Sequence, residues 1–468
     1  MNTLSSWMVA LLTIGVAVPA MAQSDEKPGT PAPAHHKLAL TPPMGWNSYD
    51  CFGYSVTEQQ VKENADYMAA NLKQHGWQYI VVDFIWSSPK LEPMFAPTQD
   101  DKFSPRLTMD EHGRLLPEPN RFPSAANGMG FKPLADYVHG KGLKFGIHVM
   151  RGIPRQAVGA NTPVLGCDGK AADAADVQSR CDWLNHMHGL NMKNPAAQAY
   201  LDSLFKLYAS WEVDFVKVDD LGFPYHEAEV EGYRKAIDKC GRPMVFSTSP
   251  GPTPIESAAH ITRNANMWRL LGDLWDDWGQ LKIAFAATAL WSKHFGPGHW
   301  PDLDMLSVGK LCKYGPNGPE RYSKFSKEEV YTLLSLWLIT RSPLMLGGNL
   351  PENDDFLTSL LTNDEALAVL NKSENNVQLF NADGLVCWMA DVEGSKDKYL
   401  ALFNTCDAIP EQQDVAGKEV KVTFKDLGLG DKCALRDLWQ KKDAGKFENA
   451  YSVMIPWHGA ALYRVTAQ

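Results

Sequence analysis

Residues 213–220 read VDFVKVDD, alternating apolar positions that take in Lys217 and close on two carboxylates, Asp219 and Asp220. Such alternation marks a β-strand. Its period of two puts Lys217 and Asp219 on one face, while Asp220 begins the following loop. Working outward, GLKFGIHVM (142–150) is the strand candidate before it and PMVFSTSPG (243–251) the one after. Further candidates are TPPMGWNSY (41–49) and WQYIVVDFIW (77–86) toward the N-terminus, and ANMWRLLGD (265–273), GHWPDLDML (298–306) and SPLMLGG (342–348) toward the C-terminus.

Helical patterns alternate with these strands. Ser55 and Glu58 have capping-box spacing, Val61, Ala65, Met68 and Leu72 fall on one helical face, and Gly76 supplies a stop. Asn194-Pro195 starts a helix that buries Leu201, Leu204, Phe205 and Tyr208. A second capping box, Ser326 to Glu329, opens one that buries Val330, Leu333, Leu334, Trp337 and Leu338. Eight strands alternating with helices across residues 38–372 predict an α/β fold of the (β/α)₈ TIM-barrel type. A doubly wound open sheet is the rival, but no G-x-G-x-x-G follows the first strand. From residue 373 to 468 the pattern changes to short alternating strands, VQLFNADGLVCWMAD, KYLALFNT, KEVKVTF, CALRDLW and AALYRV, which predict a C-terminal antiparallel β domain.

With 468 residues, 44% hydrophobic and 21% charged, the chain has ample material for a large core and two domains. Residues 1–22 end in Ala20-Met21-Ala22 after a short apolar run and read as a signal peptide cleaved before Gln23, although no Lys or Arg precedes the run. A membrane anchor is the alternative, but the run falls short of the roughly 20 residues a span needs. The expected location is therefore secreted or periplasmic, with no membrane span in the mature chain. Residues 23–37 form a Pro-rich tail in which His35-His36 reads as linker. Cys167 and Cys181, among eight cysteines, are the pair expected to bridge. A net charge of −10 argues against nucleic acid. No zinc-like spacing of Cys or His occurs, so neither a metal nor another cofactor is expected.

In a barrel, functional side chains gather at the carboxyl ends of the strands. Polar groups recur there: Trp46 and Asn47, Asp83 and Trp86, His148 and Arg151, Lys217 with Asp219 and Asp220, Ser247 to Ser249, Arg269 and Asp273, and Asp302 and Asp304. Carboxylates at four strand ends repel one another unless a function retains them. Two carboxylates flanking a pocket, with tryptophan nearby, are what glycoside hydrolysis requires.

At these residues the chain resembles the family 27 glycoside hydrolases, the α-galactosidases and α-N-acetylgalactosaminidases. The match runs through PPMGWNSY, VVDFIW, VDFVKVDD, the R-x-x-x-D of RLLGD, PDLDML and the terminal β domain. The resemblance implies a retaining exo-glycosidase acting on terminal α-D-galactosyl residues of oligosaccharides or polysaccharides. It implies Asp219 as nucleophile, Asp273 as acid/base, Lys217 and Arg269 as sugar contacts, and Trp46, Asp83 and Asp304 in the sugar subsite. His148, also expected among the sugar-binding residues, stands where many members have tyrosine. Asp220 reads as a loop or capping acid, Asp276 and Asp277 as solvated acids, and Asp302 as a support of the loop or subsite.

Three departures bear on the sugar. Many α-galactosidases carry two successive aspartates after the second strand, and here the pair is Asp83-Phe84. The fifth strand is followed by the small residues of STSPG, and a cysteine of the family two positions after the nucleophile is Leu221. The long segment from Gly152 to Met187, with Arg155 and Trp183, is expected to shape the entrance. The nearest alternative is therefore a β-L-arabinopyranosidase or another family 27 specificity; L-arabinopyranose has galactose-like ring hydroxyls and no hydroxymethyl. A sugar-binding protein without turnover is the remote one.

Overall fold

The computed structural model describes residues 31–89, 106–315, 317–408 and 416–468. The expected signal peptide lies outside these residues. All eight predicted barrel strands form: β1 (Met44–Asn47), β2 (Tyr79–Val82), β3 (Lys144–Met150), β4 (Phe215–Asp219), β5 (Val245–Thr248), β6 (Met267–Arg269), β7 (Trp300–Asp302) and β8 (Leu344–Leu346). They pair in parallel in the order β7-β6-β5-β4-β3-β2-β1-β8. A parallel bridge between Leu306, just past β7, and Leu346 on β8 joins the two ends. In the β3–β4 register Met150 lies opposite Asp219 and His148 opposite Lys217. That pairing brings two of the predicted polar groups side by side.

Local chemistry explains the helices. Asn194 caps the helix Pro195–Ser210 by accepting from the Ala196 amide at 3.0 Å, and Ser326 with Glu329 closes a capping box on Lys327–Ile339. The first capping box forms two residues later than predicted: Thr57 is the N-cap of Glu58–Tyr67 and Gln60 its partner. Both frames offer a hydroxyl followed three residues on by a side chain that can accept. The Gln60 frame wins because Glu58 is drawn to Lys62 and to the Ser124 amide. Val61, Ala65, Met68 and Leu72 are buried as expected, and Gly76 ends the segment at φ +98°.

His35 and His36 are not linker. They lie buried in the 3₁₀ helix Ala34–Ala39, across the amino-terminal end of the barrel. His36 Nε2 is 2.9 Å from the Thr262 carbonyl, its ring lies tilted against His299 with centroids 4.8 Å apart, and Trp300 Nε1 donates to the Ala39 carbonyl. Pro33 precedes this helix, and its residues supply ring surface and carbonyls to this end of the barrel.

The predicted strands after residue 373 also form. Their main sheet holds Ser373–Ala382, Leu385–Val392, Lys398–Asn404, Ala460–Ala467, Lys432–Asp437 and Lys442–Glu448, with Gly417–Thr423 and Ala450–Pro456 as a separate antiparallel pair. Lys442–Glu448 and Ala450–Pro456 went unpredicted: the first is almost wholly polar and exposed, and the second alternates Tyr451, Val453 and Ile455 inward but places the apolar Met454 on its exposed face. The sheet packs on the barrel through Phe285 against Phe403 and Trp278 stacked 4.0 Å from His458. Among the described residues no helix is long and apolar enough to cross a membrane.

Candidate active site

A cavity of about 410 Å³ opens at the carboxyl end of the barrel. Strand ends supply its wall: Tyr49 beyond β1, Asp83 and Phe84 beyond β2, Lys217 and Asp219 on β4, Gly251 beyond β5, Asp273 beyond β6 and Met305 beyond β7. Trp183, from the long segment between β3 and β4, covers one side, as expected for an entrance-shaping insertion. Alternation puts Lys217 and Asp219 into the cavity and Phe215, on the same face, into the barrel interior with Tyr79, Val245 and Trp300, while Val216 and Val218 pack on the opposite face.

Asp219 is held by four groups. Its Oδ1 accepts from Ser249 Oγ at 2.9 Å and from the Asp220 amide at 3.1 Å, and its Oδ2 lies 3.1 Å from His148 Nε2. The fourth is the Lys217 ammonium. Burial works against the charged form, but the hydrogen bond and charge of His148, the charge of Lys217 and the Ser249 hydroxyl outweigh it. The carboxyl is held well below the usual range and is ionised at any working pH.

Lys217 Nζ is 3.1 Å from Asp83 Oδ2, which also accepts from Asn47 Nδ2 at 2.6 Å. Burial raises Asp83, yet Lys217, His148 and Asn47 bring it below its ordinary value. Lys217, buried between two carboxylates, is pushed up and stays an ammonium ion. The β2 and β4 ends therefore carry fixed charges around one corner of the cavity.

The opposite side is organised by Arg269. One guanidinium nitrogen lies 2.7 Å from Asp304 Oδ1, and the other donates to the Gly272 carbonyl and reaches Asp273 Oδ1 at 3.3 Å. The Leu274 amide donates to Asp304 Oδ2 at 2.7 Å. Asp304 is buried, which pushes it up to about 7 against the pull of Arg269, with Asp273 and Asp302 adding to the rise. Asp273 itself is 64% exposed and faces the open cavity.

Not every predicted residue reaches the cavity. Trp46 is fully buried, donates to the Gly348 carbonyl at 2.8 Å and does not line it. His148, Arg269 and Asp304 stand behind the lining and act on the residues that form it. Asp302 is buried and accepts from the Asp304 amide.

Asp276 is not solvated: it is buried and takes two hydrogen bonds from Arg321, a residue whose partner lies 45 positions away and left no local signal. Asp277 caps the helix Trp278–Trp291 through the Gln280 amide. Asp220 does begin the loop after β4, but it is buried against Arg151, and burial pushes it up to about 6. The expected Cys167 to Cys181 bridge is absent, with Cys167 exposed on a turn and Cys181 buried beside Asp220.

Tyr49 and Met305 were missed. Tyr49 follows a strand end two residues beyond Asn47, a position barrel logic favours, and Met305 follows Asp304 directly. Phe84, 3% exposed, meets His148, Trp183 and Tyr49 at ring distances of 5.6, 6.2 and 6.3 Å.

A family model described as "Alpha galactosidase A" matches residues 41–183 and 185–372, and one described as "Alpha galactosidase C-terminal beta sandwich domain" matches 382–465. The chain belongs to this family of glycoside hydrolases, family 27. It is similar to the β-L-arabinopyranosidase structure from Geobacillus stearothermophilus, with 45% identity, coverage of 93% of this chain and 98% of that one, and a TM-score of 0.88. A putative α-N-acetylgalactosaminidase from Bacillus halodurans shares 42% identity over 92% of this chain and 98% of its own, with a TM-score of 0.81. "Alpha-galactosidase A" from Cellvibrio japonicus is 28% identical over 96% of each chain. As a family 27 member the chain is an enzyme that hydrolyses O-glycosidic bonds.

Proposed function

We propose that the protein is a retaining exo-glycosidase whose preferred substrate is a terminal β-L-arabinopyranoside. The observation that carries this reading is Phe84. It forms cavity wall directly beside Asp83, where many α-galactosidases have a second carboxylate. A charged partner for a hydroxymethyl oxygen is replaced by an apolar ring packed against Trp183. A pentopyranose with galactose-like ring hydroxyls and no hydroxymethyl suits that wall, because it leaves no hydroxyl facing apolar surface. The β-L-arabinopyranosidase at 45% identity supports it. The second reading, an α-D-galactosidase, rests on the α-galactosidase relatives and on the shared ring configuration.

In the proposed reaction the Asp219 carboxylate attacks the anomeric carbon while Asp273 donates its proton to the departing glycosidic oxygen. The carbon–oxygen bond to the aglycone breaks and a covalent ester to Asp219 forms. Asp273, now ionised, takes a proton from water, whose oxygen attacks the same carbon and frees Asp219. Lys217 and His148 keep Asp219 ionised. Asp83 accepts from sugar hydroxyls on the Lys217 side, and the exposed Asp273 can reach a leaving group outside the cavity.

A panel of nitrophenyl glycosides tests the sugar. Faster release from the β-L-arabinopyranoside than from the α-D-galactoside is expected, and hydrolysis of the galactoside alone overturns the assignment in favour of the second reading. Proton NMR of the first-formed product tests retention, and an inverted anomer excludes Asp219 as nucleophile.

A further inference from the structure

The turn after Asp219 is built around a buried guanidinium. Arg151 Nε donates to Asp220 Oδ2 at 3.0 Å, and a terminal nitrogen lies 2.9 Å from the same oxygen. Its other terminal nitrogen donates to Glu229 Oε1 at 2.6 Å and to Ser179 Oγ at 2.9 Å. The Arg151 amide donates to the Asp219 carbonyl, and Glu229 Oε2 accepts from the Leu190 amide. A Cβ on Gly189 would fall 2.5 Å from the guanidinium, so glycine is what lets the inserted segment come up to it. One cation thus joins β3, the turn after β4, the helix Glu227–Lys239 and the insertion.

Asp220 sits at φ +61°, in the left-handed region. For a residue other than glycine that conformation is strained and persists only where the surroundings hold it. Here the turn aims the Asp220 amide at Asp219 Oδ1, 3.1 Å away.

We propose that Asp220 is a positioning residue for Asp219: tied to Arg151, its side chain holds the left-handed turn whose amide fixes one oxygen of the attacking carboxylate. The proposal rests on Asp219 as nucleophile. It predicts a division between substitutions. Asparagine tolerates the left-handed region and still accepts from Arg151 Nε, whereas alanine does neither.

The experiment compares D220N, D220A, R151K and D219A on the nitrophenyl glycoside that the wild-type enzyme cleaves best. D220A is expected to lose about 10- to 100-fold in kcat with KM changed by less than about threefold, and D220N to stay within about threefold of wild type. Labelling of Asp219 by a 2-deoxy-2-fluoro glycosyl fluoride, followed by intact mass, is expected to slow in parallel with kcat. If D220A does not fold, R151K decides, because a lysine cannot span Asp220 and Glu229 together. A three- to tenfold loss in its kcat at constant KM supports the proposal.

Unchanged kcat in D220A or in folded R151K overturns it, even if thermal stability falls. A D220N as impaired as D220A also overturns it, because the charge itself would then be needed. Failure of the underlying reading looks different: D219A would keep its activity, whatever the Asp220 variants do.

Discussion

Replacing Phe84 by alanine tests the specificity reading most directly. The ring is 3% exposed and packs against His148, Trp183 and Tyr49. Removing it costs the protein about 3–5 kcal/mol. At about 2.1 cal/mol/K per residue, a unit running from Ala32 to Gln468 has an unfolding entropy near 0.9 kcal/mol/K, so Tm falls by roughly 3–6 °C and the enzyme remains folded at 25 °C. The effect on the sugar follows from the group at stake. One carbon's worth of apolar discrimination is worth about 1–3 kcal/mol, or roughly 10- to 200-fold in kcat/KM.

The wild-type preference for β-L-arabinopyranoside over α-D-galactoside should lie in that range, and Phe84→Ala should shrink it toward unity. Two changes contribute: room for the hydroxymethyl raises the galactoside rate, and loss of wall contact lowers the arabinoside rate. The assay is kcat/KM on the two nitrophenyl glycosides for both proteins, with circular dichroism to confirm folding. A ratio that stays within about twofold of wild type, in a folded and active variant, would refute Phe84 as the discriminating wall.

Other outcomes follow from the charges. Asp219→Ala should lower kcat by at least about 10³-fold, and Asp273→Ala should cost far more with a poor leaving group than with dinitrophenolate, whose departure needs no proton; equal losses on both would remove Asp273 from the acid role. Lys217→Met leaves Asp83 and Asp219 without a shared cation, so the acid limb of the kcat/KM profile should move to higher pH, and an unmoved limb would contradict the electrostatic role of Lys217. His35 and His299 are buried neutral, with burial pulling them to about 3 and about 4. Because the unfolded chain takes up these protons first, their contribution to stability is complete above pH ~6.5 and is lost as pH falls toward ~4; denaturant unfolding of His299→Gln should show a shallower acid loss than wild type.

Much of the site was legible because its residues sit at strand ends. Asp83, Lys217, Asp219 and Asp273 were found from alternation and barrel logic, and the family resemblance divided roles among them. The buffering shell was not legible. Arg151 reaches Asp220 and Glu229 across 69 and 78 positions, and Arg321 reaches Asp276 across 45. Nothing in a local window distinguishes an acid so paired from a solvated one, which is why Asp220 and Asp276 read as loop charges. Trp46 fell on the correct strand, but which way its ring points depends on what packs beside β1, and Gly348, just past the adjacent strand β8, takes its N–H.

Strand and helix order, the two Asn and Ser caps and the antiparallel tail were written in the chain, because period, propensity and capping act over a few residues and need no knowledge of distant neighbours. Barrel closure, the seating of His35 and His36 under the barrel, the free state of Cys167 and Cys181 and the buried cation behind the Asp219 turn emerged only when residues far apart in sequence came together. Burial, not residue type, decides whether a carboxylate is paired, protonated or solvated, and burial is a property of the folded whole.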